Sequence, residues 1–274
     1  MKKLITRTIT GIVLVLVMLT AIIASEYSYA ILFLIILTAG IIEFSSLFRQ
    51  SDVKPNKFIA YSVAIILFVV SFLIAKRMIE VKYILGILPF FLVIMAAELY
   101  RKKDKTVENI AVTIFNIIYL AIPLSLINFL VFPEILHANA YTPKLLIALF
   151  SFIWIYDSGA YLVGVSIGKH RLFERISPKK SWEGAIGGTL IAITASYFIA
   201  GFIPEIKLIH WIVISILTVV SSTFGDLTES MFKRHFGIKD SGNILPGHGG
   251  ILDRFDSLFF AAPVVVMYLK LFVE

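Results

Sequence analysis

The sequence predicts an all-α, polytopic integral membrane protein of about nine transmembrane helices, with a polar site facing the cytoplasm. Three observations lead there. Of the 274 residues, 59% are hydrophobic and only 16% are charged, whereas a soluble domain is about half apolar and about a quarter charged. Mean hydropathy is +0.92. Apolar runs of roughly 20 residues recur along the chain, the length a helix needs to cross a bilayer. They lack the period-two alternation of strands, and a helix satisfies its own backbone in hydrocarbon.

The runs cover residues 8–24, 29–48, 58–75, 83–99, 110–132, 145–164, 184–203, 208–224 and 258–273. Lys2, Lys3 and Arg7 before the first run also fit a cleavable signal peptide. No small-x-small cleavage site follows, and the chain re-enters the membrane at once, so an uncleaved first span is expected. The absence of cysteine removes disulfides, thiolate metal sites and cysteine nucleophiles together.

The net charge is +7, and its placement carries more information than its size. With the N-terminus inside, six of the 25 Lys and Arg residues fall outside: Lys76, Arg77, Lys82, Lys144, Lys207 and Lys270. The other 19 fall inside, the bias expected of cytoplasmic loops. The chain is therefore expected to run from an inner N-terminus to an outer C-terminus, as a multi-pass protein of a bacterial plasma membrane. The connection KRMIEVK, residues 76–82, is basic on the outer side and runs against this pattern. Topology signalling and attraction to anionic headgroups account for most of the inner basic residues. Nucleic acid is not an expected partner.

No internal repeat or low-complexity linker divides the chain. Two regions differ in character: N-terminal spans one to five in residues 1–140, and a catalytic region of spans six to nine in residues 141–274. Cytoplasmic loops are expected at 165–183 and 225–257. In the first region, Glu43 and Glu98 read most simply as carboxylates reaching the membrane interface. Asn116 and Asn128 read as interhelical hydrogen-bond partners. Pro89, Pro123 and Pro263 are expected to bend their helices, which a bundle tolerates.

Three groups in the second region are suited to chemistry. The first is IYDSGAYLVGVSIGK, with Asp157 inside the sixth span. A carboxylate at the bilayer centre costs about 2.5–3.5 kcal/mol on insertion scales, which makes it a functional candidate. Close packing explains the small residues Ser158, Gly159, Ala160 and Gly164, but not Asp157.

The second group is RLFERISPKKSWEGAIGG. Ser177 reads as a helix N-cap with Pro178 at the first helical position. Lys179, Lys180 and Ser181 then fall in the first turn, where free N–H groups and the helix dipole attract anions. Lysines there oppose the dipole, so a bound anion would account for them; ordinary inside-positive charge is the plainer alternative. Gly184, Gly187 and Gly188 favour close helix packing.

The third group runs from FGDLTESMFKRH to LDRFD. Asp226 and Glu229 are three residues apart, as are Asp253 and Asp256, a spacing that shares one helical face. Four carboxylates flanking one loop suggest a divalent cation with oxygen ligands. Magnesium takes one or two protein carboxylates and completes its shell with water and substrate phosphates. Lys233, Arg234, Lys239 and Arg254 supply positive charge for a polyanion. Pro246, Gly247, His248, Gly249 and Gly250 allow tight turns and close approach to phosphate oxygens.

The pattern Ser230-x-x-Lys233-Arg234, Lys239-Asp240, Pro246-Gly247-His248-Gly249-Gly250, Asp253-Arg254-x-Asp256 resembles the signature of the phosphatidate cytidylyltransferases, or CDP-diacylglycerol synthases. DSGAYLVG and SPKKSWEG are similar to that family as well. The first 140 residues resemble it only in hydropathy. The resemblance implies that CTP and phosphatidic acid react to give CDP-diacylglycerol and pyrophosphate with Mg2+, in a homodimer within the lipid bilayer. Asp226 and Asp253 would hold one cation or two, with Asp256 a further ligand or an orienter of Arg254. Lys233, Arg234, Lys239, Lys179 and Lys180 would neutralise the triphosphate or the departing pyrophosphate. His248 would donate to a phosphate or hold the glycine turn, and Asp157 would position a cation or a basic side chain. Two other readings use similar parts. A CTP-dependent lipid kinase would phosphorylate an alcohol and release CDP. A transporter would need polar residues along a route to the outer face, where spans one to five carry few.

Overall fold

A computed structural model describes residues 2–136, 140–242, 244 and 249–273, with side chains from residue 9 onward except that of Gln50. It is almost wholly helical. The helices are α1 (Lys2–Ala24), α2 (Glu26–Leu47), α3 (Lys57–Ala75), α4 (Leu88–Arg101), α5 (Thr106–Val131), α6 (Lys144–Ile167), α7 (Trp182–Phe202), α8 (Leu208–His235) and α9 (Leu252–Phe272). A 3-10 stretch, Val81–Ile87, leads into α4. A π-helical turn, Ile117–Ala121, interrupts α5.

Among the described residues, eight helices are long and apolar enough to cross a membrane, α2 to α9 with α4 counted from Val81. The ninth expected span corresponds to α1, whose described apolar part, Ile9–Ala24, is shorter than the rest. The chain forms two compact units. One is built mainly from Met1–Phe132 and Asp240–Arg254, the other mainly from Thr142–Lys239 and Phe255–Glu274.

In the first unit, polar side chains surrounded by apolar ones find partners on other helices, as hydrocarbon demands. Asn128 of α5 donates to Ser71 Oγ (2.8 Å) and Phe68 O (3.2 Å) of α3, and accepts from Tyr29 Oη of α2 (2.9 Å). Asn116 donates to Ser45 Oγ at 3.5 Å. Glu43 and Glu98 are turned inward to protein partners. They are only 3% and 4% exposed, because each is enclosed by donors. For Glu98 these are Arg101 Nη1 at 2.7 Å and Asn109 Nδ2 at 2.8 Å. Pro89 begins α4 instead of bending it, Pro123 follows the π turn, and Pro263 lies inside α9.

The basic residues expected outside are largely matched by acids. Lys76 pairs with Glu26 at 2.5 Å and Lys82 with Glu80 at 2.9 Å. Lys144 pairs with Glu205 at 3.9 Å and Lys270 with Glu134 at 3.2 Å. Local pairing therefore reduces the positive charge of KRMIEVK.

In the second unit, α6 and α7 pack backbone to backbone. A Cβ at Gly188 would stand 2.9 Å from both N and Cβ of Ala160, and one at Gly184 would stand 2.6 Å from Ala160 O. Between these helices the sequence expectation needs correction. Ser177 does not cap a helix: Ser177–Ser181 is a strand, β2, paired antiparallel with β1, Arg171–Phe173. The true N-cap is Ser181, whose Oγ accepts from Gly184 N at 3.1 Å. The physical reason is charge. The later start puts Glu183 in the first turn, where it complements the dipole; the earlier one would have put Lys179 and Lys180 there against it. Glu183 also accepts from the backbone N–H groups of Lys169 and His170 at 3.1–3.2 Å, closing the hairpin.

The eighth apolar run ends at Phe224, yet α8 continues to His235. Its last turn carries Lys233, Arg234 and His235, favourable charges for a helix C-terminus. Gly237, with φ of +66°, then turns the chain. Its N–H bonds Arg234 O at 3.2 Å while Ile238 N bonds Lys233 O at 2.9 Å, a left-handed C-terminal cap. The last helix starts at Leu252, before the ninth apolar run. Residues 225–235 and 252–257 are thus helical, so all four candidate carboxylates stand on rigid elements.

Candidate active site

The second unit gathers four of the expected residues at one place. Gly225 of α8 makes this possible, since a Cβ there would be 2.5 Å from the backbone oxygen of Asp256 in α9. The close approach sets Asp226 beside Asp256. Asp226 Oδ2 lies 2.5 Å from Lys180 Nζ, reaching in from β2, and Asp226 Oδ1 accepts from Ser230 Oγ at 3.2 Å. Asp256 Oδ1 accepts from Ser257 N at 2.7 Å. Asp226, Asp157 and Lys180 all lie within electrostatic reach of Asp256. Tyr156, next to Asp157 on α6, shares a 2.5 Å hydrogen bond with Thr223, one turn before Asp226. Three carboxylates and one ammonium thus converge from α6, β2, α8 and α9.

The basic residues divide by role. Lys180 is half-buried in the cluster, whereas its strand neighbour Lys179 is exposed. Lys233 forms an ion pair with Glu229 one turn back on α8. Arg234 reaches from the end of α8 to the hairpin, with Nε 3.4 Å from Ile176 O. Lys239 and Arg254 are exposed.

The first unit holds the other expected group. Asp253 Oδ2 accepts from Ser241 N (3.0 Å), Ser241 Oγ (2.9 Å) and Gly250 N (2.8 Å). Gly249 has φ of +83°, and a Cβ there would stand 2.5 Å from Asp253 Oδ2, so glycine is required twice over. Asp253 therefore ties Ser241 to Gly250. Pro246, Gly247 and His248 lie outside the described residues. Sequence reasoning missed Ser241 and mistook the environment of Glu43, which bonds both Ser241 Oγ and Ile251 N, the latter at 2.6 Å.

The donor chemistry suits a hard divalent cation. Asp226, Asp256 and Asp157 offer carboxylate oxygens, and magnesium takes one or two of these beside water and phosphate. Among the described residues no group of three or more metal-ligating side chains is placed to hold a metal ion.

A cytidylyltransferase family model matches residues 5–272. The chain belongs to the cytidylyltransferase family. Among its relatives, a phosphatidate cytidylyltransferase of Staphylococcus epidermidis is 32% identical over 266 residues, covering 94% of this chain and 96% of that one. A phosphatidate cytidylyltransferase of Haemophilus influenzae is 46% identical over 124 residues, 43% of each chain. One of Staphylococcus aureus is 48% identical over 118 residues, 42% of this chain and 45% of its own. Membership bears out the resemblance read from Ser230 to Asp256. It also extends the likeness to the first 140 residues, where no motif had carried it.

Proposed function

We propose that this member of the family transfers CMP from CTP to phosphatidate, giving CDP-diacylglycerol and pyrophosphate for phospholipid biosynthesis. The observation that carries the proposal is the cluster of Asp226, Asp256, Asp157 and Lys180, set in a chain that aligns with a phosphatidate cytidylyltransferase over 94% of its length.

In the reaction, a phosphate oxygen of phosphatidate attacks the α-phosphorus of CTP. The bond from that phosphorus to the β-phosphate oxygen breaks, and pyrophosphate leaves with the electron pair. The nucleophile is already anionic at neutral pH, so no strong base is needed. The barrier is the approach of two anions, and positioning and charge neutralisation lower it. Asp226 and Asp253 are the proposed ligands of one Mg2+ or two, with Asp256 a further ligand or an orienter of Arg254. Bound there, the cation would screen phosphate charge and polarise the phosphoryl group. Lys180 holds Asp226 in place and offers an ammonium to the phosphates. Lys233, Arg234, Lys239 and Arg254 attract the triphosphate and stabilise the departing pyrophosphate, with Ser177, Lys179, Ser181, Gly249 and Gly250 lining the substrates' approach.

The proposal sets this chemistry at the cytoplasmic face of a plasma membrane, with phosphatidate entering sideways between helices and CTP arriving from water. A homodimer is part of the same proposal. The test is product analysis with purified protein, phosphatidate, Mg2+ and CTP labelled at either the α- or the γ-phosphate. Lipid product carrying only the α label, with labelled pyrophosphate released from the γ position, is the expected result. Transfer of the γ label to lipid with release of CDP would instead make the protein a lipid kinase.

A further inference from the structure

Glu43 stands near the end of α2, a mostly apolar helix, and is 3% exposed. A carboxylate at such a place is costly unless donors surround it. Its donors come from one short segment nearly 200 residues later in the chain. Ile251 N donates to Oε2 at 2.6 Å, and Ser241 Oγ bonds Oε1. Two glycines of the same segment make space for it. A Cβ at Gly242 would be 2.8 Å from the Glu43 carboxyl carbon, and one at Gly250 would overlap the carboxylate itself.

Ser241 passes the connection on: its N–H donates to Asp253 Oδ2 at 3.0 Å, and its Oγ lies between that oxygen, at 2.9 Å, and Glu43, its single proton serving one carboxylate at a time. The neighbouring amides of Gly250 and Ile251 are pinned in turn, the first to Asp253 at 2.8 Å and the second to Glu43. One carboxylate from α2 thus closes a ring that holds Ser241, Gly250, Ile251 and Asp253 in a single arrangement. Glu98 offers a contrast in the same unit. Its partners, Arg101 and Asn109, lie within 11 residues of it, and it clamps a helix end.

We infer that Glu43 is a positioning residue for nucleotidyl transfer, fixing Ser241, Gly250, Ile251 and, through Ser241, the carboxylate of Asp253. The inference rests on the transferase reading above. It assigns to the N-terminal half of the chain a part in the reaction that its hydropathy does not reveal. The bonding pattern also says which replacement is tolerated. Glutamine can accept from Ile251 N with Oε1 and donate to Ser241 Oγ with Nε2, whereas alanine can do neither.

The experiment uses the full-length protein in lipid nanodiscs. Hydrogen exchange at the Gly250 and Ile251 amides is measured with steady-state kinetics at varied CTP and at varied phosphatidate. Glu43→Ala is expected to speed exchange at both amides and to lower kcat/KM for CTP, each by about tenfold or more, the loss of one or two buried hydrogen bonds. KM for phosphatidate should stay within about twofold, and Glu43→Gln should keep kcat/KM for CTP within about threefold. A purely structural role would lower stability and loosen the amides while leaving kcat/KM for CTP unchanged, and that result overturns the inference. So does Glu43→Gln as impaired as Glu43→Ala.

Should Glu43→Ala fail to fold, Gly250→Ala supplies the second arm. Its methyl group meets the Glu43 carboxylate and Ser241 Oγ, so exchange at Ile251 should again rise by about tenfold; unchanged exchange overturns the inference. Failure of the transferase reading is recognised separately, as absence of CDP-diacylglycerol from the wild-type protein.

Discussion

Gly188 and Gly201 lie on the same helix, α7, and replacing each with alanine should have opposite effects. At Gly201 a Cβ would meet nothing within 4 Å, so Gly201→Ala gains helix propensity, about 0.5–1 kcal/mol. At Gly188 the same methyl would stand 2.9 Å from Ala160 N, Ala160 Cβ and Tyr156 Cδ2. Ordinary carbon contacts are about 3.5–4 Å, so the seam between α6 and α7 must open by roughly 0.5–1 Å. Overpacking of this kind costs about 1–3 kcal/mol. Set against the same propensity gain, Gly188→Ala should lie about 2 kcal/mol below Gly201→Ala, or about 4–8 °C in apparent melting temperature for a chain of this size.

The functional effect follows from what the seam carries. Tyr156 bonds Thr223 at 2.5 Å, and Asp157 is its neighbour. A shift of 1 Å at a reacting centre can cost about a hundredfold, so roughly half that shift predicts about a tenfold loss of kcat. Thermal unfolding in detergent and cytidylyl transfer from labelled CTP measure the two effects. Equal melting temperatures and equal turnover for Gly188→Ala and Gly201→Ala would refute both the close seam and its link to the site.

Other perturbations have defined outcomes. Asp226→Asn should lower kcat by about a hundredfold or more, while its melting temperature moves little, because the Lys180 ion pair is a third exposed and such pairs contribute about 0–1 kcal/mol. Lys180→Met should lower kcat/KM for CTP by roughly tenfold to a hundredfold in steady-state assays; unchanged kinetics would remove Lys180 from the phosphate site. Asn128→Leu removes three buried interhelical hydrogen bonds at about 0.6 kcal/mol each, so a detergent unfolding titration should show a loss of about 2 kcal/mol, with turnover preserved at low temperature. Chelation should abolish turnover and Mg2+ restore it; full activity in excess EDTA would exclude the proposed cation.

The spans were legible because hydrocarbon imposes a pattern that 20 residues can state by themselves. The run at 29–48 became Glu26–Leu47 and that at 58–75 became Lys57–Ala75. Asn128 was legible for the same reason, since an amide in oil must find partners. Hydropathy marks where oil ends, however, and not where a helix ends. The loop expected from residue 225 therefore took in the final turns of α8, although the spacing of Asp226 and Glu229 already carried the helical signal. The hairpin was missed because Ser177 and Pro178 imitate a helix start; the dipole-compatible Glu183 after Ser181 was the better signal. Glu43 had no local signal at all. The donors that enclose it lie 198 and 208 residues further on, a distance that only folding removes.

The length of α8 has a consequence for where chemistry can take place. Its 28 residues rise about 42 Å, and a hydrocarbon layer is about 30 Å deep. A helix standing upright would thus project roughly two turns beyond the acyl chains. With Leu208 at one boundary of that layer, Asp226, 18 residues later, would come about 27 Å along the axis, close to the opposite boundary. A water-borne nucleotide and a fat-borne phosphate can meet at that height, and neither has to leave the medium that dissolves it.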